Sequence, residues 1–258
     1  MIVQFIFLIW VFACTESEKV DTGSSEPYEP TEEHLLLDLI EQMFYRFSDQ
    51  AGRRKWYARC ETLRPTFEKA AALTGYETEF AMGMALHESA GCQKGIKGRH
   101  GEIGLMQIRS STLRDFRKEA AKLLEIKSGQ VNLYYPFHNA VLGLVVLRSR
   151  ERGLGEMESA NDFANALQSY NRGASGYKRS LAKHFGWSSG DPLPFVLDVQ
   201  EAAGHCEYAQ MIFAAAAEIR LNARSVNTSE RDFLNPIDIP GWYREANKPP
   251  PAKDEKGT

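Results

Sequence analysis

The chain has 258 residues, 43% of them apolar, which is enough for one sizeable core and predicts one domain or at most two. Its 31 Lys and Arg against 34 Asp and Glu leave a formal net charge of -3, which gives no basis for nucleic-acid binding. With 20 Gly and 11 Pro it is not a low-complexity chain.

The first informative stretch is apolar. Residues Ile2 to Ala13 carry one polar interruption, Gln4, and Cys14 follows. About 20 apolar residues are needed to cross a bilayer, so this run suits the core of a secretory signal better than a membrane-spanning helix. Val11-Phe12-Ala13-Cys14 resembles a bacterial lipoprotein box. That resemblance implies a lipid on Cys14 and a periplasmic protein tethered to the outer membrane. No Lys or Arg precedes the run, and bulky Phe12 stands where small residues are usual. A plain cleaved signal or a short anchor is the alternative. With Cys14 acylated, Cys60, Cys92 and Cys206 remain, and an oxidising compartment allows one disulfide among them or none. No pair of cysteines has metal-site spacing.

Residues 15–33 are acidic and rich in Ser, Pro and Thr, a composition that cannot bury apolar surface and reads as a flexible linker. Residues 34–74 read as an N-terminal helical region. Within it, His34 to Phe47 sets Leu36, Leu37, Ile40, Met43, Phe44 and Phe47 on one stripe, and Thr66 to Leu73 is a short helix ending near Gly75. Residues 75–225 read as the main domain. Its predicted helices run over Glu77–Ser89, Ser111–Leu124 with Ser110 or Ser111 as cap, Asn139–Arg150, Asn161–Tyr170 and the Ala-rich, buried Cys206–Leu221. Residues 226–258 form a Pro-rich tail without a core. No sustained period-2 pattern and no internal repeat appears, so the fold class is mainly α.

The chemistry gathers around helix ends. On the helix from Glu77, Phe80, Ala81, Met84 and Ala85 form an apolar stripe that Glu88 continues at i+4 and i+3. A carboxyl on a core-facing stripe is costly to ionise; desolvation raises its pKa, which suits a general acid. Taken alone, Glu88 reads rather as a solvated side chain on a frayed last turn. A glycine-rich basic loop follows, with Lys94, Lys97, Arg99 and His100, then Gly104-Leu105-Met106-Gln107. Much later comes Tyr170-Asn171-Arg172-Gly173, where a phenol and an amide extend the stripe of Phe163, Ala164 and Leu167. A buried phenol needs a partner, and a nearby carboxyl would serve.

Glu88-Ser89, Gly104-Leu105-Met106-Gln107 and Tyr170-Asn171-x-Gly173, in this order and spacing, resemble the soluble lytic transglycosylase (SLT) domain, over about residues 75–185. Pro136, Asn139 and Gly143 resemble the same family's stretch at the start of a core helix. The resemblance implies a lysozyme-like helical domain with a substrate groove of interdomain type, acting on peptidoglycan glycan strands without metal or cofactor. It implies Glu88 as the single catalytic acid/base. Ser89 and Gln107 would bind sugar, Met106 would wall the cleft, and Gly104 would let backbone pass close to substrate. Tyr170 would bond toward Glu88 or substrate, with Asn171 on the same floor. Arg172 departs from the family's usual Ala and reads as a contact for stem-peptide carboxylates or as a solvated cation.

Two rival readings follow. A hydrolase similar to goose-type lysozyme shares these elements and would need a further acid to hold water, for which Glu102 is the candidate. A non-catalytic glycan-binding scaffold of an envelope machine would not need Glu88, Gln107 and Tyr170 together. A dedicated enzyme with an envelope-machine partner would share the transglycosylase chemistry.

Overall fold

The computed structural model describes residues 53–204 and 207–224, and side chains within 55–204 and 207–220. Cys14, the helix expected at His34–Phe47, Cys206 and the Pro-rich tail lie outside the described residues. Among the described residues nine α-helices follow one another: α1 Arg53–Glu61, α2 Arg64–Thr74, α3 Thr78–Glu88, α4 Ser110–Leu123, α5 Pro136–Leu154, α6 Ala160–Arg172, α7 Ala174–Phe185, α8 Val196–Ala203 and α9 Tyr208–Arg224. None of them is long and apolar enough to cross a membrane. Among the described residues, extended pairing is limited to two isolated antiparallel bridges, Lys97 with Ile103 and Ile103 with Ile108. The fold is mainly α, in keeping with the sequence.

Helix α3 is the axis of the domain. Every residue from Phe80 to Leu86 is buried, where the sequence suggested only one apolar stripe. The reason is that α3 is covered on several sides, by α9, α2 and α5, so small and apolar side chains are required all round it. Closest approach comes at Gly83: a Cβ there would meet the backbone N of Ala216 in α9 at 2.7 Å. The Ala214, Ala215 and Ala217 run of α9 is buried against the core for the same reason. Arg220 of α9 pairs with Glu77 just before α3, and Tyr57 of α1 bonds Glu218 of α9, tying the outer helices to the axis.

Helix α5 begins at Pro136, whose fixed φ and missing N–H suit a first helical turn, and Ala140 to Leu147 are all buried. Helix α6 opens on a reciprocal cap, with the Ser159 hydroxyl accepting from Asp162 N–H at 3.1 Å and the Asp162 carboxylate accepting from Ser159 N–H at 3.0 Å. Helix α4 begins at Ser110 after Arg109, and no side chain caps it, so neither Ser110 nor Ser111 fills the role the sequence suggested. Cys60 of α1 is joined to Cys92, just past α3, by a disulfide. The open question of cysteine pairing is thereby answered for these two.

Candidate active site

Three segments meet at the C-terminal end of α3. The first is the loop from Gly91 to Ile108, folded back by its two bridges so that residues 98–102 and 107–109 form one wall. The second is the end of α6 with Tyr170, Asn171, Arg172 and Gly173. The third is the groove-lining face of α5, where buried Val146 and half-buried Arg150 stand one turn apart. Between them lies an open groove of about 420 Å³, and Glu88 is on its surface. A larger hollow of about 900 Å³ lies beside Leu154, Ser159 and Pro192, but of its acids Glu156 and Glu158 are exposed and Asp162 and Asp191 accept from backbone N–H groups. It holds no sheltered acid comparable to Glu88.

Asn139 holds the wall in shape. It is fully buried, and its amide oxygen accepts from Met106 N–H at 2.8 Å. Its amide nitrogen donates to the carbonyls of Ile103 and Leu133 at 2.9 and 3.0 Å. One side chain thus satisfies three backbone groups that no helix serves. Gly104 passes directly over it, at φ +78°, and a Cβ there would come within 2.5 Å of the Asn139 amide. Gln107 then turns at φ +45° and donates to Gly104 O at 2.8 Å, which brings its side chain to the groove.

Glu88 is half-buried, and burial dominates its electrostatics. Desolvation raises its pKa, a hydrogen bond from the Tyr208 hydroxyl pulls the other way, and the field of Glu102 adds to the rise; the result is about 7. Tyr208 is 1% exposed and lies at the first turn of α9, with its ring edge-on to His87 at 5.2 Å between centroids. Glu102 lines the same groove from the loop wall. Burial works to raise its pKa, but its own N–H, Arg109 and the His100 N–H outweigh that and leave it below the ordinary value. Arg109 Nε reaches Glu102 Oε1 at 2.8 Å, and His100 N–H reaches Oε2 at 2.8 Å. The groove therefore holds two carboxyls with opposed tendencies, one inclined to keep its proton and one ionised.

The residues expected at the site divide in two. Glu88, Gln107, Tyr170 and Asn171 line the groove together. Ser89, Gly104 and Met106 lie in the wall behind it. Ser89 is fully buried; its hydroxyl donates to Ala85 O at 2.6 Å and accepts from Gln93 N–H at 3.1 Å, which ends α3 and starts the loop. Met106 is fully buried and lies close against Gly143 of α5, where a Cβ would come within 2.5 Å of its side chain. The Tyr170 hydroxyl donates to Met106 O at 2.8 Å, not to Glu88. The phenol that bonds Glu88 is Tyr208, which sequence reasoning missed. One signal was available: an aromatic hydroxyl at the start of an Ala-rich, buried helix also needs a partner.

Residues 65–187 match the family model for the transglycosylase SLT domain. No curated protein matches the chain. The match takes in the end of α3 with Glu88, the loop with Gln107 and the end of α6 with Tyr170, and it stops short of α9 and Tyr208. Residues 65–187 thus carry a transglycosylase SLT domain, which is consistent with a lysozyme-like lytic transglycosylase acting on peptidoglycan.

Proposed function

We propose that this protein cleaves the β-1,4 bond between N-acetylmuramic acid and N-acetylglucosamine and leaves 1,6-anhydromuramyl ends, with Glu88 as acid and then base. The observation that carries this reading is the position of Glu88 on the groove with its pKa near 7. At neutral pH such a group is protonated in part of the molecules and ionised in the rest, so it can give a proton and take one back.

In the first step Glu88 donates its proton to the glycosidic oxygen, the C1–O bond breaks, and N-acetylglucosamine leaves as an alcohol. Positive charge develops at the muramyl C1, and the neighbouring N-acetyl carbonyl of the substrate closes on it. In the second step the C6 hydroxyl attacks C1 and its proton passes to Glu88, which restores the acid. No water is consumed. The Tyr208 hydroxyl holds the carboxyl in one orientation and stabilises its ionised form between the two steps. Placed proton transfer contributes about 10²–10⁴-fold, and orientation in the groove supplies more.

The test is digestion of purified sacculi with mass analysis of the soluble muropeptides. Anhydro ends are expected, one water lighter than reducing ends, and Glu88→Gln is expected to release none while keeping its helical circular dichroism. Glu88→Gln protein with wild-type turnover would overturn the assignment. A second reading, hydrolysis, is favoured by one feature: ionised Glu102 lines the same groove as Glu88. In that reading Glu102 orients a water, the products carry reducing ends, and Glu102→Gln removes them.

The same proposal extends to place. A signal ending at Cys14, with a lipid on that residue, would hold the enzyme at the outer membrane facing the wall. The Cys60–Cys92 disulfide fits an oxidising compartment of that kind. Labelled palmitate should enter the wild-type chain and not Cys14→Ser; equal labelling of both refutes the anchor.

A further inference from the structure

The last turns of α5 carry three arginines, two residues apart, and they meet different fates. Arg148 reaches back to Thr74 O with its guanidinium beside the Tyr76 ring, 5.6 Å from its centroid. Arg152 donates to Glu119 at 3.0 Å. Arg150 lies between them and lines the groove, and among the described residues nothing accepts a hydrogen bond from it. Its stem crosses α4 with the guanidinium 5.5 Å from the Phe116 centroid, and its buried Nε is unsatisfied. Asp115 is near enough for its charge to be felt but is exposed and not bonded to it.

A half-buried guanidinium whose buried Nε has no acceptor is unusual, because an orphaned buried donor keeps its desolvation cost. Arg117 also has an unsatisfied Nε, but it does not line the groove. Neither acid that lines the groove bonds Arg150. Glu102 is committed to Arg109 and Glu88 tends to hold its proton, while Arg99 and Arg172 add positive charge at the rim. The phenol of Tyr170 feels both Arg150 and Glu88, which puts the cation close to the reacting end of the groove.

We propose that Arg150 binds a carboxylate carried by the muramyl unit of the substrate, and so selects muramyl-containing strands over neutral N-acetylglucosamine polymers. The inference rests on the peptidoglycan reading above. Its chemistry is simple: a guanidinium takes a carboxylate with charge-assisted, often paired hydrogen bonds, and the muramyl unit is where a peptidoglycan strand carries its acids. The carboxylate has two sources, the lactyl group itself where the stem peptide is absent, or the stem peptide where it is present.

The experiment measures binding in Glu88→Gln protein, so that no ligand is consumed. Calorimetric affinities are compared for muramyl oligosaccharides with stem peptides, for the same strands stripped of stems by an amidase, and for chitooligosaccharides, which have no carboxylate. Arg150→Gln, and Arg150→Met to keep contact with Phe116, are added to this background. Each should weaken at least one muramyl ligand about tenfold or more and leave chitooligosaccharide affinity unchanged. Loss on the stripped strands points to the lactyl carboxylate, and loss confined to stem-bearing strands points to the peptide. An equal loss on chitooligosaccharides, or no loss on either muramyl ligand, overturns the proposal. Failure of the enzyme reading is seen separately: wild-type protein that releases no muropeptide while Arg150 still discriminates would sink the transglycosylase and leave the subsite standing.

Discussion

At the scale of single residues the molecule turns on a carboxyl that folding makes a weaker acid. Glu88 titrates near 7 in the folded chain and at the ordinary 4.5 when unfolded. Between those values the folded chain holds a proton that the unfolded chain has lost, so stability falls as pH rises from about 4.5 to about 7 and this contribution is level above. Glu88→Gln removes the penalty. The variant should exceed wild type by on the order of 2 kcal/mol in urea unfolding at pH 8, with the gain vanishing near pH 4. No gain at pH 8 would mean the carboxyl is not held out of water. Turnover should follow the same proton. The rate is expected to fall above about pH 7, because the first step needs the acid form. Tyr208→Phe removes the bond that favours the carboxylate, so its alkaline limb should move to higher pH with a lower maximum rate. A pH profile unchanged in Tyr208→Phe would show that the phenol does not act on the acid.

At the scale of elements, the groove wall depends on buried amide chemistry. Asn139→Ala would orphan Met106 N–H and Leu133 O and leave Ile103 O with only its bond from Ile108 N–H. Destabilisation of about 2–4 kcal/mol by chemical unfolding is expected, with activity lost even where the fold survives, since Gln107 and the acceptor of Tyr170 belong to the released segment. The disulfide from Cys60 to Cys92 spans 32 residues, closes a loop that includes all of α2 and α3, and should contribute about 3–4 kcal/mol. Replacing both cysteines by Ser and measuring the denaturation midpoint checks it. Elements with a clean stripe were legible in the sequence, α4 and α6 above all. Helix α7 was not, because Tyr177 and Leu181 are its only fully buried side chains and the rest of its face is polar. Helix α8 spans eight residues, and α1 is a charged run without a stripe, so neither shows a period. At the site, the ordered motifs brought Glu88, Gln107, Tyr170 and Asn171 to one groove. They could not separate residues that face the substrate from Ser89, Gly104 and Met106, which shape the wall, since both kinds of role demand the same residue at the same place.

At the scale of the whole molecule, the proposed active site is larger than the stretch that carries the family's motifs. Helix α9 lies beyond residue 187, yet it covers α3, presents Tyr208 to Glu88 and ties Gln210 to Gln200 of α8 by paired amide bonds at 2.8 and 2.9 Å. A chain ending at Trp187 would keep Glu88, Gln107, Tyr170 and Asn171 but expose the apolar flank of α3 that α9 covers. It should unfold at lower denaturant than the full chain, bind apolar dyes and release no muropeptides; a stable, active fragment would refute this dependence on α9.

The bond between Glu88 and Tyr208 joins positions 120 residues apart, so the acid precedes its partner by that interval in synthesis. A nascent or half-threaded polypeptide carries the acid long before its burial is complete. An enzyme of the kind proposed, built in this way, would stay harmless through manufacture and acquire its bite only when the helix that carries Tyr208 closes over α3.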